Sequence, residues 1–126
     1  MKYFFIPVAA LTLLLGLSLW NAAAVEAAVR PWCTALGEAW ESAEREDWEA
    51  AERAVGETRR AWEARHPYFH IVTAHDELDQ ADALFAQAAG FAAERERAEL
   101  RATLAELSVQ LRVVAEMQKL TVKNVL

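Results

Sequence analysis

Cysteine is almost missing from this chain. The single Cys33 excludes a disulfide within the molecule and leaves a pairing between chains or, the simpler reading, a lone buried thiol. Glycine and proline are scarce, four and three in 126 residues, and no Gly/Ser/Pro-rich stretch divides the chain with a linker. An excess of basic charge is also lacking. Thirteen Lys and Arg face 19 Asp and Glu, a net charge of −6, which argues against a nucleic-acid or anionic-lipid surface because either wants a basic stripe. No Gly-rich phosphate loop, Ser-His-Asp order, Cys-His pair or HExxH spacing stands out. On these grounds catalysis is not expected, and neither a cofactor nor a metal.

What the chain does have is a run without charge from Tyr3 to Val25, preceded only by Lys2. Its 23 residues make a helix of about 34 Å, enough to cross a hydrocarbon core of about 30 Å. The run exceeds the 7–15 apolar residues usual in a cleaved signal peptide, and Tyr3, Phe4 and Trp20 fall near its two ends, where aromatic rings suit an interface. An uncleaved signal anchor over residues 1–28 is therefore the expectation, with residues 3–25 in the bilayer. A cleaved signal peptide is the alternative, since Ala22-Ala23-Ala24 satisfies a small-x-small rule and Val25-Glu26-Ala27 is a weaker match. After Val25 come 12 basic and all 19 acidic residues, a net −7. A short stub before the span and a bulky domain after it favour a cytoplasmic N-terminus and an extracytoplasmic domain over residues 29–126.

Beyond the run, alanine, glutamate, leucine and arginine dominate, a mixture that favours helix. Pro31 suits the first turn of a new helix with the stripe Trp32, Leu36, Trp40, Ala43. Asp47 suits the N-cap of a second helix carrying Trp48, Ala51, Val55 and Trp62, although residues 30–65 also read as one bent rod. His66-Pro67 marks a boundary, after which Ile71, Ala74, His75, Leu78, Ala81, Phe85 and Ala88 share one face up to a stop at Gly90. The last helix repeats Leu100, Leu104, Leu107, Leu111, Val114 and Gln118 at steps of four and three. The fold expected is all-α, an N-terminal transmembrane helix followed by a small antiparallel four-helix bundle.

Few residues invite a chemical role. His66, His70 and His75 fall within ten residues, yet His70 and His75 point to different sides of a helix, so they read as structural rather than as metal ligands. His75 is expected at the edge of the core with its ring toward Asp79, one turn on. Carboxylate pairs such as Glu38/Glu41 and Asp79/Asp82 read as solvated faces. Trp40, Trp48 and Trp62 read as core, and Trp32 as an interfacial or partner-contacting ring just outside the membrane. Leu104 and Leu111 are the positions through which the last helix would self-associate if its stripe is not internal.

The apolar anchor, the Trp-spaced helices, His75-Asp76-Glu77-Leu78-Asp79, the heptad helix and the ending Leu120-Thr121-Val122-Lys123-Asn124-Val125-Leu126 together carry a resemblance. They resemble a family of small membrane-anchored proteins of unknown function from clostridia and related Firmicutes. The resemblance covers nearly the whole chain, through short motifs; the Ala/Arg/Glu-rich composition and Cys33 depart from it. It implies an anchored helical domain without an assigned activity, and it singles out His75, Asp79 and Asn124. Residues 47–62 are also similar to part of one tetratricopeptide unit, but no second copy follows. The reading is a single-pass protein whose outer bundle serves as a protein-binding or structural element at the cell envelope. Its partners would be the bilayer and an envelope protein or a second copy. The competing readings are a secreted helical binding module and a metal-dependent enzyme built on the histidines.

Overall fold

The computed structural model describes the backbone of residues 2–125 and their side chains except those of residues 70–72 and 121–125. Five helices follow one another: α1 (Lys2–Glu44), α2 (Trp48–Ala64), α3 (His66–Val72), α4 (His75–Ala93) and α5 (Arg97–Val125). No strand occurs among the described residues, so the fold is all-α. α1 packs on α2 and α5, and α4 packs on α5 and α2, around one core.

The expected new helix at Pro31 is corrected, because α1 runs unbroken for 43 residues with Pro31 inside it. A proline there removes one backbone hydrogen bond and costs about 3 kcal/mol in a helix interior. Against this, Ala22, Val25, Val29, Trp32, Leu36, Ala39 and Ala43 are all buried, at steps of three and four that pass straight through the proline. Each larger side chain among them contributes roughly 1.5–3 kcal/mol by leaving water, so their common face outweighs the local break. Pro31 and Ala27 are both exposed, which leaves the freed Ala27 carbonyl open to water.

The breaks that do occur use no glycine. After α1, the Glu46 N–H donates to the Ala43 carbonyl (3.0 Å) and the Asp47 N–H to the Ser42 carbonyl (2.9 Å). After α4, the Arg95 N–H donates to Ala92 (3.2 Å) and the Glu96 N–H to Phe91 (2.9 Å). Both are Schellman caps, and each places a non-glycine residue at positive φ, Glu46 at 60° and Arg95 at 56°. Gly90 therefore does not stop its helix, which runs on to Ala93. α1 and α2 are separate helices, and Asp47 caps α2 as expected, its carboxylate accepting from the Ala50 N–H at 3.2 Å. The third expected helix is corrected too. Pro67 starts the short α3, then Thr73 and Ala74 turn extended, and α4 begins afresh at His75 with Asp76 and Glu77 in its first turn.

Numbering falls along α5 as it rises along α1. Asn21 meets Gln118, Cys33 meets Ser108, Trp40 lies under Arg101 and Glu46 meets Arg97. The two glycine-free turns thus share one end of the molecule. At the other end, where the apolar part of α1 projects, α3 closes the core. Near the turns the core is made of small residues such as Ala39, Ala43, Ala51, Ala88 and Ala92. Under α3 it is aromatic: the Trp62 ring stacks on Phe69 at 5.0 Å, and Trp32 meets both rings edge-on at 6.0 and 6.1 Å. Large rings fill the wider end, as close packing requires.

Candidate functional site

Two polar constructions stand out from this apolar frame, both at the α3 end. The first joins α1, α3 and α5. Gln118 occupies a position in the heptad stripe of α5 and is buried. Its amide oxygen accepts from Asn21 Nδ2 at 2.7 Å and its Nε2 donates to the Thr73 hydroxyl at 3.1 Å. A buried amide needs such partners, since an unmet group costs roughly 1–3 kcal/mol. Asn21 Oδ1 is buried and has no hydrogen-bond partner among the described residues.

The residue after Gln118 continues the seam: Lys119 Nζ reaches Glu26 at 3.1 Å and Glu116 at 3.4 Å, while Arg30 meets Glu26 at 3.4 Å. The Lys119 ammonium, through its hydrogen bond and then its charge, holds the Glu26 carboxyl below its ordinary value, and Arg30 adds to this. Hydrogen bonds to Glu26 and Glu116 raise the Lys119 ammonium in turn. Above this pair a groove of about 500 Å³ runs between α1 and α5, lined by Glu26, Val29, Arg30, Cys33, Arg112 and Glu116 among others. Cys33 is half-buried there, its thiol 3.8 Å from the Ser108 carbonyl. The groove's lining combines two carboxylates (Glu26, Glu116) and two guanidiniums (Arg30, Arg112) with the apolar side chains of Val29 and Ala115.

The second construction ties α2, α3 and α4. The Trp62 indole N–H donates to Asp82 Oδ1 at 2.6 Å, and His66 Nε2 lies 2.9 Å from Oδ2 and 3.2 Å from Oδ1 of the same carboxylate. Arg59 and Glu63, paired at 3.2 Å, complete a cleft of about 360 Å³. With the Trp62 ring fully buried, Asp82 satisfies the one polar atom that this ring brings inside. The cluster fixes how α2 turns through α3 into α4.

The residues singled out from sequence fall differently. Trp32 is not an interfacial ring; it is 8% exposed and part of the aromatic core. His75 is exposed in the first turn of α4 rather than at the core edge, and Asp79 is exposed as well. The structure pairs His66 with Asp82, sixteen residues apart. Leu104 and Leu111 are 4% and 0% exposed, so the stripe lies in this chain's own core. Trp62 is core as expected, whereas Trp40 and Trp48 are only half-buried, and Arg101 lies 5.3 Å over the Trp40 ring. The side chains of His70 and Asn124 lie outside the described residues. Among the described residues, no three His, Cys, Asp or Glu side chains gather as a metal site would need.

Asn21, Thr73, Glu26 and Lys119 were not singled out from sequence. One signal pointed to them, a glutamine where the heptad calls for an aliphatic residue. The Trp62–Asp82 bond has no local signature, because it joins two helices across α3.

The sequence profile of the family "Domain of unknown function (DUF4363)" matches residues 20–125. The chain belongs to that family. No curated protein and no solved structure matches it.

Proposed function

With membership of an uncharacterised family as the premise, we propose that this chain is a single-pass membrane protein whose helices α1, α2, α4 and α5 form an antiparallel four-helix bundle outside the cytoplasm. The bundle serves as a protein-binding or structural element at the cell envelope and carries no catalytic activity. We also take the family to be the small membrane-anchored one of clostridia and related Firmicutes that the sequence resembles.

The observation that carries this reading is the N-terminal part of α1. It is long and apolar enough to cross a membrane, and none of that stretch is buried by the rest of the chain. Tyr3, Phe4, Phe5, Ile6, Leu13 and Leu14 are each at least 60% exposed, a surface that water disfavours and lipid accepts. The junction supports retention of the segment over its cleavage. A cut after Ala24 or Ala27 would remove Ala22 from the core and Asn21 from its bond to Gln118, and the later cut would also remove the buried Val25. A secreted module would begin its life with that end of the core opened.

The intact mass of the protein from a membrane fraction of its native host tests the anchor. A full-length mass is expected, and a mass short by about 24–27 residues would replace the anchor with the secreted module. Orientation is read separately. With Cys33→Ser as background, Glu57→Cys, in the exposed middle of α2, should react with an impermeant maleimide on intact cells. Reaction only after lysis would place the bundle in the cytoplasm.

A further inference from the structure

We propose that the outward face of α5 docks on the same face of a second copy of this chain, with the two α5 helices parallel about a two-fold axis normal to the membrane. This rests on the anchor reading above and extends it, by naming the partner and the surface that meets it.

The face is apolar where a solvated helix would be charged. α5 packs mainly on α1 and α4, and its far side carries Ala98, Ala102, Ala105, Val109, Val113 and Leu120, exposed or half-buried. With Glu116 completing the row, the steps of four, three and four recur every eleven residues. That period is close enough to 3.6 per turn to keep the row on one line of the helix. Glu116 alone is polar there, and its carboxylate meets Lys119 at 3.4 Å. Val109 and Leu120 are 56% and 54% exposed, and the lower half of the row forms a groove of about 340 Å³. The outer face of α2 shows the contrast: Glu49, Glu52, Arg53, Glu57, Arg60 and Glu63 are all exposed on it, as suits a helix that faces water.

Charge selects the occupant and its orientation. Helical spacing sets Arg101 and Arg112 along one flank of the row and Glu99 and Glu106 along the other. The basic flank is on the α1 side, where Arg101 lies 5.3 Å over the Trp40 ring. The acidic flank is on the α4 side, where Gln110 bonds Glu77. Arg97, Glu116 and Lys119 have ion pairs within the chain; these four are the charges of α5 that have none among the described residues. A two-fold axis along the helices brings each copy's basic flank against the other's acidic flank, whereas antiparallel helices would set like flanks together. The partner's Glu106 then comes level with the middle of the stretch between Arg101 and Arg112, about 8–9 Å along the axis from each, a span that long arginine side chains bridge. Two copies anchored the same way in one membrane meet in this parallel sense alone. Anchor and flank charges therefore call for the same orientation. Exposed pairs of this kind are worth little each, so the apolar row supplies the affinity and the charges the orientation.

The test uses membranes of cells expressing the full chain, with Cys33→Ser as background and one new cysteine. Val109→Cys, in the middle of the row, should give a dimer with a short bis-maleimide. Glu57→Cys, on the outer face of α2, is the collision control and should give at least about fivefold less. Arg101→Glu added to Val109→Cys should cut the dimer at least about threefold, and Glu106→Arg on top of it should restore the yield. Residues five apart are not neighbours on one helix, so this rescue reads pairing between copies and not a repair within the fold. Carbonate extraction of the same membranes reads the anchor separately. Retention of the chain with no more dimer at 109 than at 57, or with a yield that Arg101→Glu leaves unchanged, overturns the dimer face and leaves the anchor standing. Release by carbonate overturns the anchor, and the yields at 109 and 57 then judge the face by itself.

Discussion

Removing the carboxylate of Asp82 should open the α3 end of the core, and its size can be worked out from the contacts. Asp82→Ala takes the acceptor, at 2.6 Å, from the indole N–H of a Trp62 ring that is 0% exposed. A buried donor left unmet costs roughly 1–3 kcal/mol, and the lost contact to His66, which is partly open to solvent, adds less. The total expected is about 2–3 kcal/mol. Trp62→Phe removes the same donor while keeping a ring against Phe69 and Phe85. In that background Asp82→Ala should cost only about 1 kcal/mol, a coupling of roughly 1–2 kcal/mol for neighbours that share one bond. Asp82→Asn keeps a neutral acceptor and should recover part of the loss. The assay is urea unfolding of the full chain in detergent micelles, followed by circular dichroism. If Asp82→Ala costs under about 0.5 kcal/mol, or the two substitutions add without coupling, the Trp62–Asp82 bond does not hold this end together.

Arg95→Gly should stabilise the chain by up to about 1 kcal/mol, because it relieves an L-residue at positive φ in an exposed cap; a drop in the urea midpoint would contradict that cap geometry. Leu111→Ala should lower stability by about 2–5 kcal/mol without changing the oligomeric state seen by light scattering, because Leu111 is internal; dissociation of a folded assembly would return the stripe to a partner. The Glu26–Lys119 pair should act only in a pH window. Glu26 is held below 4.5, so its contribution is present above that value and lost as pH falls through the lower folded value. Lys119 is held above 10.5, so its contribution is present below that value and lost as pH rises through the higher folded one. In the full chain, Lys119→Met should move the Glu26 carboxyl midpoint, read by carbon NMR, upward toward the ordinary range; an unmoved midpoint would mean that the pair does not form in solution.

Much of this fold was legible before any coordinates. The stripe Leu100, Leu104, Leu107, Leu111, Val114 and Gln118 is buried throughout, since a heptad states its inner face by spacing alone. Asp47 and Pro67 act as cap and first-turn residue, because both effects are local. Pro31 and Gly90 misled for the complementary reason. Each marks a local preference of a few kcal/mol at most, and the buried faces on either side of Pro31 are together worth more. His75 was expected at the edge of the core, but α4 starts at His75, and both His75 and Asp79 are exposed.

By itself, then, the sequence determined the helical class, the apolar first segment and the inner faces of the helices, all of which follow from composition and periodicity within one segment. Only the tertiary structure decided that α1 passes through Pro31, that Trp32 lies inside, and that the glycine-free turns at Glu46 and Arg95 end their helices. It also decided which polar groups meet: Gln118 with Asn21 and Thr73, Glu26 with Lys119, Trp62 and His66 with Asp82. These partners are sixteen to ninety-seven residues apart. Their meeting depends on the relative register of packed helices, a quantity summed over the whole interface and written in no single stretch of the chain.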